Sequence, residues 1–200
     1  AAAADVVVLP GFNATFYEVT ENTVFRGVAK PRRVATAALM GTVNAGTPIC
    51  PGVAGVDPPC VITALATDNV SLAPGKKLGK GPVHGTFSVV ANEPGTIDGA
   101  EVMVLRGSLQ GDIDLSQVFL FAASGGGAGS PTGTISGTWR STGGLHGTFT
   151  GVFRIPVDVG LGPTTPFYFA EGVGFFPADT AAEFSLGVST VRLDVNFVAD

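Results

Sequence analysis

The sequence predicts an all-β protein, an antiparallel, Gly-rich β-barrel or β-sandwich of about a dozen strands. Three observations lead there. Among 200 residues, 29 are Gly and 14 are Pro, nearly double the roughly 12% of an average chain, so turns are frequent. Val, Thr and Phe, which favour pleated, half-buried surfaces, dominate the stretches between them. Within those stretches the apolar spacing has a period of two almost throughout.

At the N-terminus, Asp5 to Leu9 is short, β-branched and nearly uncharged, and Pro10-Gly11 follows it. This reads as a strand able to leave its own domain and pair with a neighbour's sheet edge. Residues 1–10 are therefore expected to form an extension, with Val6, Val7, Val8 and Leu9 as an assembly strand, and residues 11–200 a single all-β domain. Phe12, Ala14 and Phe16 then alternate. Val34 to Met40 is the best helical candidate, but its Val and Thr make a strand equally acceptable. Alternation returns at Val83, Gly85, Phe87 and Val89, and at Gly147, Phe149, Gly151, Phe153 and Ile155. It is cleanest at the C-terminus, where Val191, Leu193, Val195 and Phe197 share a face opposite Arg192, Asp194 and Asn196. Val118 to Phe121 (VFLF) lacks alternation and reads as a strand buried on both sides. Turn clusters at residues 92–95, 97–99, 124–133, 160–163 and 176–179 divide these runs. The strands are not interleaved with helical patterns, which disfavours a parallel sheet.

A Gly-[Ser/Thr]-apolar-x-Gly-x-apolar pattern occurs at Gly107–Ile113, Gly133–Trp139 and Gly147–Phe153. Inward glycines let a strand coil sharply, or let an aromatic ring from across the core occupy the gap. That favours the barrel. The segments Gly81–Val90 and Gly143–Val152 also share six of ten residues, by duplication or by common strand grammar.

Charge and cysteine content narrow the function classes. The net charge is −5, without the basic footprint a nucleic acid needs. Lys76, Lys77 and Lys80, and likewise Arg32 and Arg33, read as solvated turns. Both long uncharged runs, residues 34–56 and 115–139, are interrupted by Gly, Pro or Ser, so neither supplies the roughly 20 apolar residues of a spanning helix. The opening AAAAD is expected of a secreted chain after leader removal. Cys50 and Cys60 bracket a Pro/Gly-rich loop and are expected to form a disulfide worth about 2–3 kcal/mol, which implies an oxidising compartment. Asn13 and Asn69 head glycosylation sequons. The expected location is extracellular or the cell surface.

Catalytic patterns are faint. His84 and His146 hold equivalent places in the two HGTF segments, and would approach each other if their strands were neighbours. Two imidazoles without a carboxylate are an incomplete metal set, so solvent-facing positions are the preferred reading. Asp112 and Asp114 share a strand face that Asp98 and Glu101 could join across a hairpin; a wet sheet face is again preferred. No G-x-S-x-G elbow is present, and no metal or other cofactor is expected. Phe167, Tyr168, Phe169, Phe175 and Phe176 concentrate aromatic surface near Gly and Pro, as a core, an interface or a pocket rim would.

The leading functional expectation is a secreted structural subunit that associates with copies of itself into a fibre or oligomer by N-terminal strand exchange. An extracellular barrel binding an apolar small molecule or a glycan is the alternative. An enzyme is third, with Glu101, Asp112, Asp114, His84 and His146 as the only nameable acid/base groups.

Overall fold

The computed structural model describes residues 11–27, 30–47, 49–50, 52–73, 75–92, 101–123, 132–154, 180–185 and 191–200. Along the chain run β1 (Phe12–Arg26), β2 (Arg32–Val43), β3 (Cys60–Ser71), β4 (Lys80–Asn92), β5 (Glu101–Asp114), helix α1 (Ser116–Ala123), β6 (Thr132–Ser141), β7 (His146–Arg154), β8 (Thr180–Ser185) and β9 (Arg192–Ala199).

Every pairing between these strands is antiparallel. The sheet runs β2-β3-β4-β5-β6-β7-β9-β1, and β1 also pairs with β2. Eight strands thus close into a barrel, which decides between the two architectures the sequence allows. The ninth, β8, lies beside the second half of β1 (Thr20–Phe25), where β9 has left it. The described residues hold nine strands rather than about a dozen. Barrel strands are tilted and therefore long: β1 has 15 residues and β5 has 14. Glycines that could have marked breaks, such as Gly85 and Gly111, lie inside them.

Alternation accounts for the inward faces. Phe12, Ala14 and Phe16 of β1 are buried, as are Val191, Leu193, Val195 and Phe197 at β9. Residues 34–40 are strand, within β2. The Gly pattern works as its spacing suggests. A Cβ on Gly107 would come within 2.7 Å of the Phe87 ring, which occupies that gap. Gly111 and Gly137 face each other across β5 and β6. The released space is filled by an aromatic cluster at one end of the barrel. Phe12 stacks on Phe197 at 4.5 Å, and Trp139 meets both edge-on at 6.1 and 6.2 Å. The indole N–H donates to the Val198 carbonyl at 3.0 Å. The Cys50–Cys60 disulfide (Cα–Cα 5.7 Å) lies at the same end, since Cys60 pairs with Val43 and Val43 with Ala14.

The VFLF run is a correction. It belongs to α1, which follows β5 at the other end of the barrel, not to a two-sided strand. Absence of alternation does not separate a short buried helix from a buried strand. The start signals lie just upstream. Asp114 Oδ1 accepts the Ser116 N–H at 2.9 Å, and Leu115 donates its N–H to the Gly79 carbonyl at 2.8 Å. Gly79 sits at φ +71°, where a Cβ would also strike the backbone of Leu115 and Ser116; only glycine suits that approach. Val118 and Phe119 are driven into the core.

Candidate functional site: a charged wall inside the barrel

The half of the interior nearer α1 contains the charges. On β1 the inward face reads Phe12, Ala14, Phe16 and then Glu18. A bulge between Glu18 and Thr20 inserts one residue and switches the inward parity, so Glu21 and Thr23 also face the core, at 4% and 1% exposure. A regular strand would have turned Glu21 to solvent. On β2 the inward row is Arg33, Ala35, Ala37 and Leu39; on β3 it is Ala64, Ala66 and Asp68. The register brings four ionisable groups together on three adjacent strands.

Arg33 is the hub and is only 3% exposed. Its Nη2 contacts Glu21 Oε1 at 2.6 Å, and its Nη1 contacts the two Asp68 carboxylate oxygens at 3.1 and 3.2 Å. Thr23 donates its hydroxyl proton to Glu21 Oε1. The sequence reading of Arg33 as a solvated turn residue is therefore corrected: Arg32 faces outward and bonds Asn69, while Arg33 points inward. Burial opposes the charge on Arg33, but Glu21 and Asp68 outweigh it and hold the guanidinium firmly protonated.

Glu18 stands apart. It is 5% exposed, and its Oε1 has no hydrogen-bond partner among the described residues. Burial, reinforced by the charge on Glu21 and only partly offset by Arg33, pushes its carboxyl up to about 8. Asp68 rises to about 6, mainly through burial and against the pull of Arg33. Glu18 is accordingly a neutral carboxylic acid through most of the physiological range.

These side chains form one wall of a cavity of about 70 Å³, several times the space one water requires. Alanines at 37, 64 and 66 leave the room. The opposite wall is apolar, with Leu109, Ile113, Ile135, Phe149, Phe153 and Leu193. Few polar groups converging on an otherwise apolar concavity is the usual make-up of a small-molecule site.

The residues singled out from sequence are distributed differently. His84 and His146 are exposed on β4 and β7, with β5 and β6 between them, so their strands are not neighbours. Asp112 is exposed, and Asp114 pairs with Lys80 at 2.9 Å besides capping α1. Glu101 opens β5. Asn13 accepts from Asn196 Nδ2 at 2.7 Å, and Asn69 accepts from Arg32. Asp98, the assembly strand Val6–Leu9 and the aromatic residues Phe167, Tyr168, Phe169, Phe175 and Phe176 lie outside the described residues. Among the described residues no group of three or more His, Cys, Asp or Glu is placed to hold a metal ion, and no helix is long and apolar enough to cross a membrane.

Glu18, Glu21, Arg33 and Asp68 were all missed by the sequence reading. A signal existed for Glu18, which continues the parity of Phe12, Ala14 and Phe16. None existed for Glu21, whose direction depends on the bulge. Comparison with protein-family models, with curated proteins and with solved structures found no match.

Proposed function

We propose that this barrel is a binding module for a small apolar molecule carrying one polar group, held in the interior cavity with that group against Glu18. The observation that carries the reading is a buried carboxyl group, one oxygen of which has no partner among the described residues, on the wall of a space whose other wall is hydrocarbon. An unsatisfied buried polar atom costs on the order of 1–3 kcal/mol, and a ligand that supplies the missing bond recovers it. Of the two ligand classes compatible with the sequence, the apolar wall favours an apolar body over a glycan. The Cys50–Cys60 disulfide fits an extracellular setting.

Saturation-transfer NMR with cyclohexanol tests this. Transfer is expected with the natural protein and should be lost in Ala66→Leu, whose added carbons fill the cavity while the barrel keeps its circular-dichroism spectrum. No transfer, or transfer untouched by Ala66→Leu, would overturn the proposal.

Self-association is a second reading. Met40, Val61 and Leu65 stand 49%, 42% and 54% exposed on the outer face of the adjacent strands β2 and β3, a patch that a second copy of the chain would cover.

A further inference from the structure

The charge balance inside the cavity narrows the ligand further. Glu18, Glu21 and Asp68 face a single guanidinium. Arg33 directs its hydrogen bonds to Glu21 and Asp68, and none reaches Glu18. What the site lacks is a positively charged partner for Glu18, whose side chain lines the cavity. The rings of Phe16, Phe149 and Phe153 also line the space, and ring faces attract organic cations. A carboxylate or phosphate ligand would instead meet the Glu21 and Asp68 carboxylates in a setting of low dielectric, with Arg33 already bonded to both.

We propose that the ligand of this cavity is a small hydrophobic amine in its ammonium form, with its charged head against Glu18 and its hydrocarbon body against the apolar wall. The proposal rests on the cavity being a ligand site, and it adds the charge of the ligand. Among the described residues the charged neighbours of Glu18 are Glu21 on its own strand, Arg33 on β2 and Asp68 on β3. The remaining lining, from β4 to β7 and from β9, is apolar among the described residues.

Binding is then an exchange. The Glu18 carboxyl releases its proton to solvent as the ammonium arrives, and the carboxylate accepts an N–H hydrogen bond. No bond of the ligand is made or broken. Because free Glu18 keeps its proton up to about pH 8, uptake of the cation is coupled to pH. Affinity should rise by about tenfold per unit of pH as a limit below that value, and level off above it. A neutral ligand that accepts a hydrogen bond from the protonated acid shows the opposite trend, weakening above pH 8.

The experiment compares cyclohexylammonium with cyclohexanol, two probes with the same body, from pH 6 to 9 on the unaltered protein. An alkylammonium keeps its charge there, since its acidity resembles that of lysine at about 10.4. Isothermal titration in buffers of differing ionisation heat should show release of close to one proton per cyclohexylammonium at pH 6–7. Its affinity should increase at least tenfold between pH 6 and 8. Glu18→Gln, an isostere of the neutral acid, should abolish both effects and weaken the ammonium at least tenfold. Cyclohexanol bound by the natural protein, with the ammonium weaker or indifferent to pH, would overturn the inference and leave the cavity reading standing. Failure of both probes would remove both. The pH series on the natural protein decides the matter even if the variant folds poorly.

Discussion

At the scale of single residues, Glu18 is the group whose environment departs most from its sequence context. A carboxyl raised from 4.5 to about 8 keeps, in the folded state, a proton that the unfolded chain has already released. Its contribution to stability is complete below pH 4.5 and is lost as pH rises to about 8, with a limiting slope of about 1.4 kcal/mol per pH unit. Asp68 acts with the same sign between 3.8 and about 6. The protein is therefore expected to be more stable near pH 5 than at pH 8.5. Glu18→Gln should flatten that dependence above pH 6 and raise stability at pH 8.5. Urea unfolding of both proteins at four pH values measures it; parallel curves would show that Glu18 is not the titrating group. Arg33 teaches the complementary lesson. Beside Pro31 and Arg32 it looks like a hairpin charge, yet it is the counter-ion that lets Glu21 and Asp68 stay buried. Guanidinium suits that role because its fork serves two carboxylates at once.

At the scale of elements, strands were legible wherever alternation was unbroken. β9 is read directly from Val191, Leu193, Val195 and Phe197. β1 keeps the parity of Phe12, Ala14 and Phe16 as far as Glu18 and then misleads, because a one-residue bulge reverses which side chains enter the core. α1 was hidden for a different reason: Val118 to Phe121 is apolar on every side, and an eight-residue helix leaves too few turns for a period to show. The loop between Cys50 and Cys60 was predictable because its Pro and Gly content lets its ends meet. The double variant Cys50→Ser/Cys60→Ser should lose about 2–3 kcal/mol of stability, the entropy of an open loop of this length, and retain its β-sheet spectrum. A loss below 1 kcal/mol would mean that the loop stays in place without the covalent link.

At the scale of the whole molecule, closure of the sheet underlies the proposed binding role. Joining β9 to β1 puts Phe12, Phe16, Phe87, Phe149 and Phe197 inside, so much of the apolar content that suggested an assembly partner is covered by the chain itself. Closure also creates a lumen, and small residues at 37, 64 and 66 keep part of it open. The outer patch at Met40, Val61 and Leu65 remains. If a second copy covers it, sedimentation should show a dimer or larger species that Met40→Glu/Leu65→Glu reduces to a monomer. A monomer at every concentration in the natural protein would discard self-association while leaving the binding role intact.

Composition and period by themselves determined the β class, the antiparallel pairing, the disulfide and the inward glycines, because each follows from forces between residues close in sequence. Only the tertiary structure decided barrel over sandwich, and only it assembled Glu18, Glu21, Arg33 and Asp68. Those groups meet through strand register and one bulge. Register is a property of paired strands, and pairing joins positions as far apart as Phe12 and Phe197.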